Sequence, residues 1–147
     1  MSGYSVLLLL HLFAAIAFAG TVFFEVVMLE GVRRHLPREV VAQVERAVGG
    51  RAVRIMPWVL LVLYGAGIGM ALSYRELLAQ PLASSFGLLL GLKILLAASV
   101  LLHFATAMAW RRRGVLTGRR ARRLHASIFA HLLLIIVLAK AMFHLAW

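Results

Sequence analysis

The chain reads as an all-α membrane protein, a four-transmembrane-helix antiparallel bundle with a short interfacial helix between spans one and two. Three observations predict this. Its 147 residues are 63% hydrophobic, where a soluble domain is nearer half apolar, and mean hydropathy is +0.95. Four apolar runs, at about 5–29, 55–74, 86–110 and 126–146, are long enough to cross a bilayer, which takes about 20 residues. The net charge of +11 is gathered into two segments between those runs instead of being spread over a fold. The length fits one membrane domain. The positive-inside rule accounts for the basic loops, so the charge gives no reason to expect a nucleic-acid partner.

The first run contains Ala17-Phe18-Ala19, which imitates a signal-peptidase site. No Lys or Arg precedes Arg33, and the apolar run continues to Leu29, so the sequence predicts a retained span. The loop that follows carries Arg33, Arg34, Arg38, Arg46, Arg51 and Arg54 against Glu30, Glu39 and Glu45. Within it Pro37 suits a first helical turn, Val40, Val41, Val44 and Val48 recur at helical spacing, and Gly49-Gly50 is expected to end the run. This predicts an amphipathic helix lying on the membrane surface, its arginines against lipid headgroups.

The second and third spans carry Gly65/Gly69 and Gly87/Gly91, two small-x-x-x-small pairs suited to close helix packing and to a homodimer. The link near Arg75–Ser85 holds one arginine and one glutamate, whereas Arg111–Arg123 holds seven arginines and no acid. Both basic loops are expected on the cytoplasmic side of a bacterial inner membrane, with both termini outside.

Ionisable groups inside spans are expensive, by roughly 2.5–3.5 kcal/mol at a helix centre, and mark function. Here they are His11, Glu25, Lys93, His103 and His131. Helix rise places His11 and Lys93 in the outer leaflet and Glu25, His103 and His131 towards the inside. At 100° per residue His11 and Glu25 share a face of span one, whereas His131 and Lys140 are opposed, which leaves Lys140 to snorkel as an anchor. His35, His125 and His144 lie near span ends and read as interfacial residues. Each intramembrane histidine also has a plainer use, a hydrogen bond to a neighbouring helix. Glu25 reads either as a proton-relay group or as the partner of a loop arginine.

The chain has no cysteine, which excludes disulfides, thiolate metal sites and covalent haem attachment. A haem b held without covalent bonds needs an apolar slot and facing axial nitrogens. His11 would supply one and Lys93, as a neutral amine, another; His103 and His131 would form an alternative pair, and two sites are conceivable. Basic residues would pair with haem propionates. Copper is the alternative cofactor, since imidazole and thioether suit Cu(I). The methionines Met28, Met56, Met70, Met108 and Met142 are scattered, however, and form no track with the histidines.

Leu10-His11-Leu12 with Gly20 in span one, Gly91-Leu92-Lys93-Ile94-Leu95 followed by Leu102-His103-Phe104 in span three, and the Leu132–Lys140 run of span four are the residues that carry a resemblance. With the arginine-rich loops, the pattern resembles the superfamily of small four-span membrane proteins that includes the CopD copper-resistance domain and the HemJ-type protoporphyrinogen oxidases. The resemblance implies a b-type haem in the bundle, with His11 and Lys93 at the functional positions. It also implies redox chemistry or electron transfer, in its enzyme form the oxidation of a porphyrinogen with electrons passed to a quinone or another redox partner. A copper-handling protein of the CopD kind is the alternative. The chain departs from the HemJ-type group in span one, where Ala17-Phe18 stands in place of a Trp, and in lacking an Asn-x-x-Pro at the start of span four.

Overall fold

A computed structural model describes residues 2–145. It is all-α, with four helical stretches long and apolar enough to cross a membrane: Gly3–Arg33, Arg38–Ala79, Ser85–Arg112 and Gly118–Ala141. Residue 146 of the expected fourth span lies outside the described residues. The chain divides into two compact units, Met1–Ser73 and Tyr74–Trp147. Each contains an antiparallel helical hairpin.

In the first unit α1 (Gly3–Phe23) starts at Ser2, whose hydroxyl accepts from the Ser5 amide at 3.2 Å and so satisfies a free helix-end donor. The span does not continue as a uniform α-helix. Phe24–Met28 form a π turn, closed by the Leu29 amide donating to the Phe24 carbonyl, before α2 (Leu29–Arg33) resumes. Glu25 lies within that turn. Buried Ala14, Phe18 and Val22, four residues apart, form the stripe that α1 turns inward.

α3 (Arg38–Ala71) runs back antiparallel, with Pro37 as the residue before its first turn. The amphipathic segment expected between the first two spans is helical, but it is not a separate helix ended by Gly49-Gly50. It continues unbroken into span two for 34 residues. A mid-helix glycine costs only about 1 kcal/mol, and the helical residues on either side outweigh it. Pro57 is accommodated inside the same helix. At about 51 Å, the helix is longer than the ~30 Å hydrocarbon core, so its arginine-rich first half extends beyond it. At the turn between α2 and α3, Arg33 donates to Glu30 at 2.9 Å and to Glu45 at 2.6 Å, tying the two helices together.

In the second unit the short α4 (Arg75–Ala79) precedes α5 (Ser85–Arg112), which pairs with α6 (Gly118–Ala141). Ser84 caps α5 by accepting from the Gly87 amide, and Thr117 caps α6 by accepting from Arg120. Gly114, at φ +68°, makes the reversal between them in a conformation only glycine adopts freely. The opposite end is closed by buried Ser85, whose hydroxyl donates to the Leu145 carbonyl at 2.7 Å, and by an edge-to-face contact between Phe86 and Phe143.

Large apolar side chains cover the outside of both hairpins. Phe13 is 68% exposed, Leu61 64%, Leu102 67% and Val137 62%. A water-facing surface would not carry this, whereas lipid tails match it. The protein is a multi-pass membrane protein in contact with the bilayer.

An added Cβ at Gly50 meets nothing within 4 Å. Gly50→Ala is therefore expected to raise stability by about 0.5–1 kcal/mol in detergent unfolding, because Ala suits a helix interior. A loss instead would mean that Gly50 terminates a helix.

Candidate functional site

Five histidines share one device and differ in what it leaves over. The Nδ1–H of His35, His103, His131 and His144 donates to the carbonyl four residues earlier in its own helical stretch, namely Gly31, Ser99, Ser127 and Lys140. A carbonyl only accepts, so each bond puts the proton on Nδ1 and, in the neutral ring, the lone pair on Nε2.

For His103 and His131 that lone pair is used. α5 and α6 each carry a Ser-x-x-x-His segment, Ser99–His103 and Ser127–His131, and antiparallel packing sets them face to face. The Ser127 hydroxyl donates to His103 Nε2 at 2.9 Å, and the Ser99 hydroxyl donates to His131 Nε2 at 3.1 Å. The ring centroids lie 5.2 Å apart. The result is a reciprocal clasp in which every ring nitrogen has a partner. Sequence reasoning picked out the two histidines and raised an interhelical hydrogen bond as their plainer use. It missed Ser99 and Ser127, whose signal was the same four-residue spacing repeated in two neighbouring spans.

The clasp also has chemical capacity. A hydroxyl both donates and accepts, so a proton taken up at either Nε2 reverses one Ser–His bond without moving heavy atoms. Iron coordination by His103 or His131 requires the facing serine to turn away first. As an axial pair the two rings do not fit haem in this arrangement.

His11 differs from the other four. Its Nδ1–H crosses to another helix and donates to the Leu63 carbonyl of α3 at 2.8 Å. The ring lies against Gly67, where an added Cβ would come within 3.2 Å of Cε1 and 3.3 Å of Nδ1. Among the described residues no protein group bonds its Nε2, and no buried side-chain nitrogen lacks a partner. That nitrogen is therefore accessible, with its lone pair unused and its ring fixed by the Nδ1 bond. A backbone carbonyl holding one ring nitrogen while the other faces a ligand is the usual arrangement of a metal-bound histidine. His11 is thus held by one ring nitrogen with the other left open to a ligand.

The glycines that allow this contact are not the expected pair. Gly67 meets His11 and Gly69 meets Leu7, at 3.0 Å from an added Cβ, whereas Gly65 meets nothing. In the third span Gly87 is pressed against the carbonyls of Pro81 and Leu77, so it serves the preceding turn.

Lys93, on α5 in the second unit, is half-buried and has no ion pair among the described residues. Glu25 is half-buried in the π turn, a distortion that recurs at functional sites. Among the described residues no cluster of three or more His, Cys, Asp or Glu could hold a metal ion, so any such centre would rest on fewer side chains or on a cofactor's own ligands.

Two measurements check this geometry. A double-mutant cycle on Ser99→Ala and His131→Ala should give a coupling of about 0.6 kcal/mol or more in detergent unfolding, the usual size for a hydrogen bond between membrane helices; zero coupling would mean the side chains do not meet. Gly65→Ala should be neutral or stabilising by up to about 1 kcal/mol, while Gly67→Ala should be the less stable of the two because His11 must shift. Compared with known proteins, the chain matches no family model, no curated protein and no solved structure.

Proposed function

We propose that the protein is a membrane-bound b-type haem protein acting in redox chemistry or electron transfer, with His11 as an axial ligand. The observation that carries this reading is the His11–Leu63 hydrogen bond, which fixes the ring and leaves Nε2 as an accessible lone pair within an apolar span. An imidazole nitrogen there gains more from a ligand than from lipid, which has no donor to offer.

Bound at His11, haem would supply a reversible one-electron couple. The chain's own residues do the rest. The Leu63 carbonyl orients the imidazole and strengthens Nε2 as a donor, as such partners do for metal-bound histidines. Gly67 gives the ring a surface without a side chain. By the resemblance Lys93 is a further functional position, and among the described residues it has no ion pair. The His103–His131 clasp holds α5 to α6 and, through serine hydroxyls that can donate or accept, could pass a proton at Nε2, and Glu25 is a candidate proton carrier in the first span.

In this reading the electrons come from a substrate oxidised in the membrane, a porphyrinogen in the enzyme form, and leave to a quinone or another redox partner. The protein sits in a bacterial inner membrane with both termini outside, and a second copy is its natural neighbour.

Visible spectra of the purified protein, oxidised and reduced, test the proposal. A Soret band with sharp reduced α and β bands is expected, with His11→Ala losing most of the haem. Ser99→Ala and Ser127→Ala should keep it. A colourless protein from haem-replete cells overturns the reading, and haem content unchanged in His11→Ala overturns the ligand assignment.

A further inference from the structure

The arginine-rich end of the second unit contains an open cleft of about 710 Å³ lined by Val115, Thr117, Arg119, Arg120 and Arg123. Its charges break a local rule. α6 begins with four arginines in its first six residues and has no acid in its first turn. That is the end of a helix at which cations are disfavoured and anions favoured. Arg119 and Arg123 also stand four residues apart, where like charges repel.

Within the second unit, the described residues offer these arginines no carboxylate partner. Glu76 is the one acid in the second unit, and among the described residues none of the three arginines forms an ion pair. Arg120 is nevertheless held in place rather than left to extend into water. Its Nη1 donates to the Val115 carbonyl at 2.8 Å, and its guanidinium lies over the Trp110 ring, 5.3 Å from the centroid. Fixing a guanidinium this way lowers the ordering cost of binding and leaves further N–H groups to donate.

We propose that this cleft binds a phosphate group, held by Arg119, Arg120 and Arg123, and that the phosphate belongs to an anionic lipid headgroup. Guanidinium forks match phosphate oxygens in shape as well as charge. The cleft lies where two helices long and apolar enough to cross a membrane meet, the end at which headgroups are expected, beside Trp110, a residue type that concentrates at that level. The exposed Val115 gives the lipid's apolar portion a surface. Diffuse attraction to a negative membrane needs only net charge, whereas a built site depends on which arginines are present.

The test removes equal charge in two places. The full chain is purified in mild detergent and titrated with vesicles of phosphatidylglycerol or phosphatidylcholine, and separately with inorganic phosphate. Binding is read by native mass spectrometry and by the shift in thermal unfolding. Phosphatidylglycerol should bind in preference to phosphatidylcholine. The R119Q/R123Q variant should weaken it by about tenfold or more, while R111Q/R112Q, outside the cleft, should stay within about twofold. Protection by inorganic phosphate that depends on Arg119 and Arg123, with none from phosphatidylglycerol, upholds the anion site and overturns its assignment to lipid. Equal loss in the two variants, or no preference for either anion, overturns the site. Circular dichroism of both variants confirms that the comparison is between folded proteins.

Discussion

The structure depends first on the lack of water in the hydrocarbon core, where a polar group must find its partner inside the protein. The backbone meets that demand as helix, and the side chains meet it with backbone carbonyls. Ser85 reaches the carbonyl of Leu145, and His103, His131 and His11 each hand their Nδ1 proton to a carbonyl. Among the described residues no buried side-chain nitrogen or oxygen is left without a partner. Against that background the accessible Nε2 of His11 stands apart, because it has a fixed lone pair and no protein donor.

The same demand gives the two hairpins different characters. In the first, close approach is the means: Gly67 and Gly69 remove side chains from α3 so that His11 and Leu7 can lie against it. In the second, hydrogen bonding is the means: two Ser-x-x-x-His segments lock α5 to α6 midway, and Ser85 with the Phe86–Phe143 contact closes one end. The first hairpin thus holds one imidazole rigidly by a single nitrogen, and the second holds two imidazoles with every ring nitrogen bonded.

Charge outside the core follows another logic. Arg33 satisfies two glutamates at the first turn, an arrangement in which the basic loop is partly neutralised by its own acids. The second basic loop has no such acids, and four of its seven arginines stand in the first turns of α6, the helix end least suited to them. The contrast separates arginines that hold the fold together from arginines available to a ligand.

The sequence by itself determined the class, the number of spans and which residues were costly enough to need a reason. Hydropathy and charge grouping are local properties, summed along the chain, and tertiary contacts do not alter them. It also marked His11, His103 and His131, because an imidazole in an apolar run is conspicuous without coordinates. It misjudged Gly49-Gly50, since one weak glycine signal competes with a long cooperative helix, and it did not reveal the π turn at Phe24–Met28, for which no spacing rule exists. Only the tertiary structure decided how each histidine is used. That depended on the register between helices, which put Ser127 and Ser99 against two imidazoles and the Leu63 carbonyl against the third. Register is set by side-chain packing across the helix interface, and the pattern along one helix does not contain it.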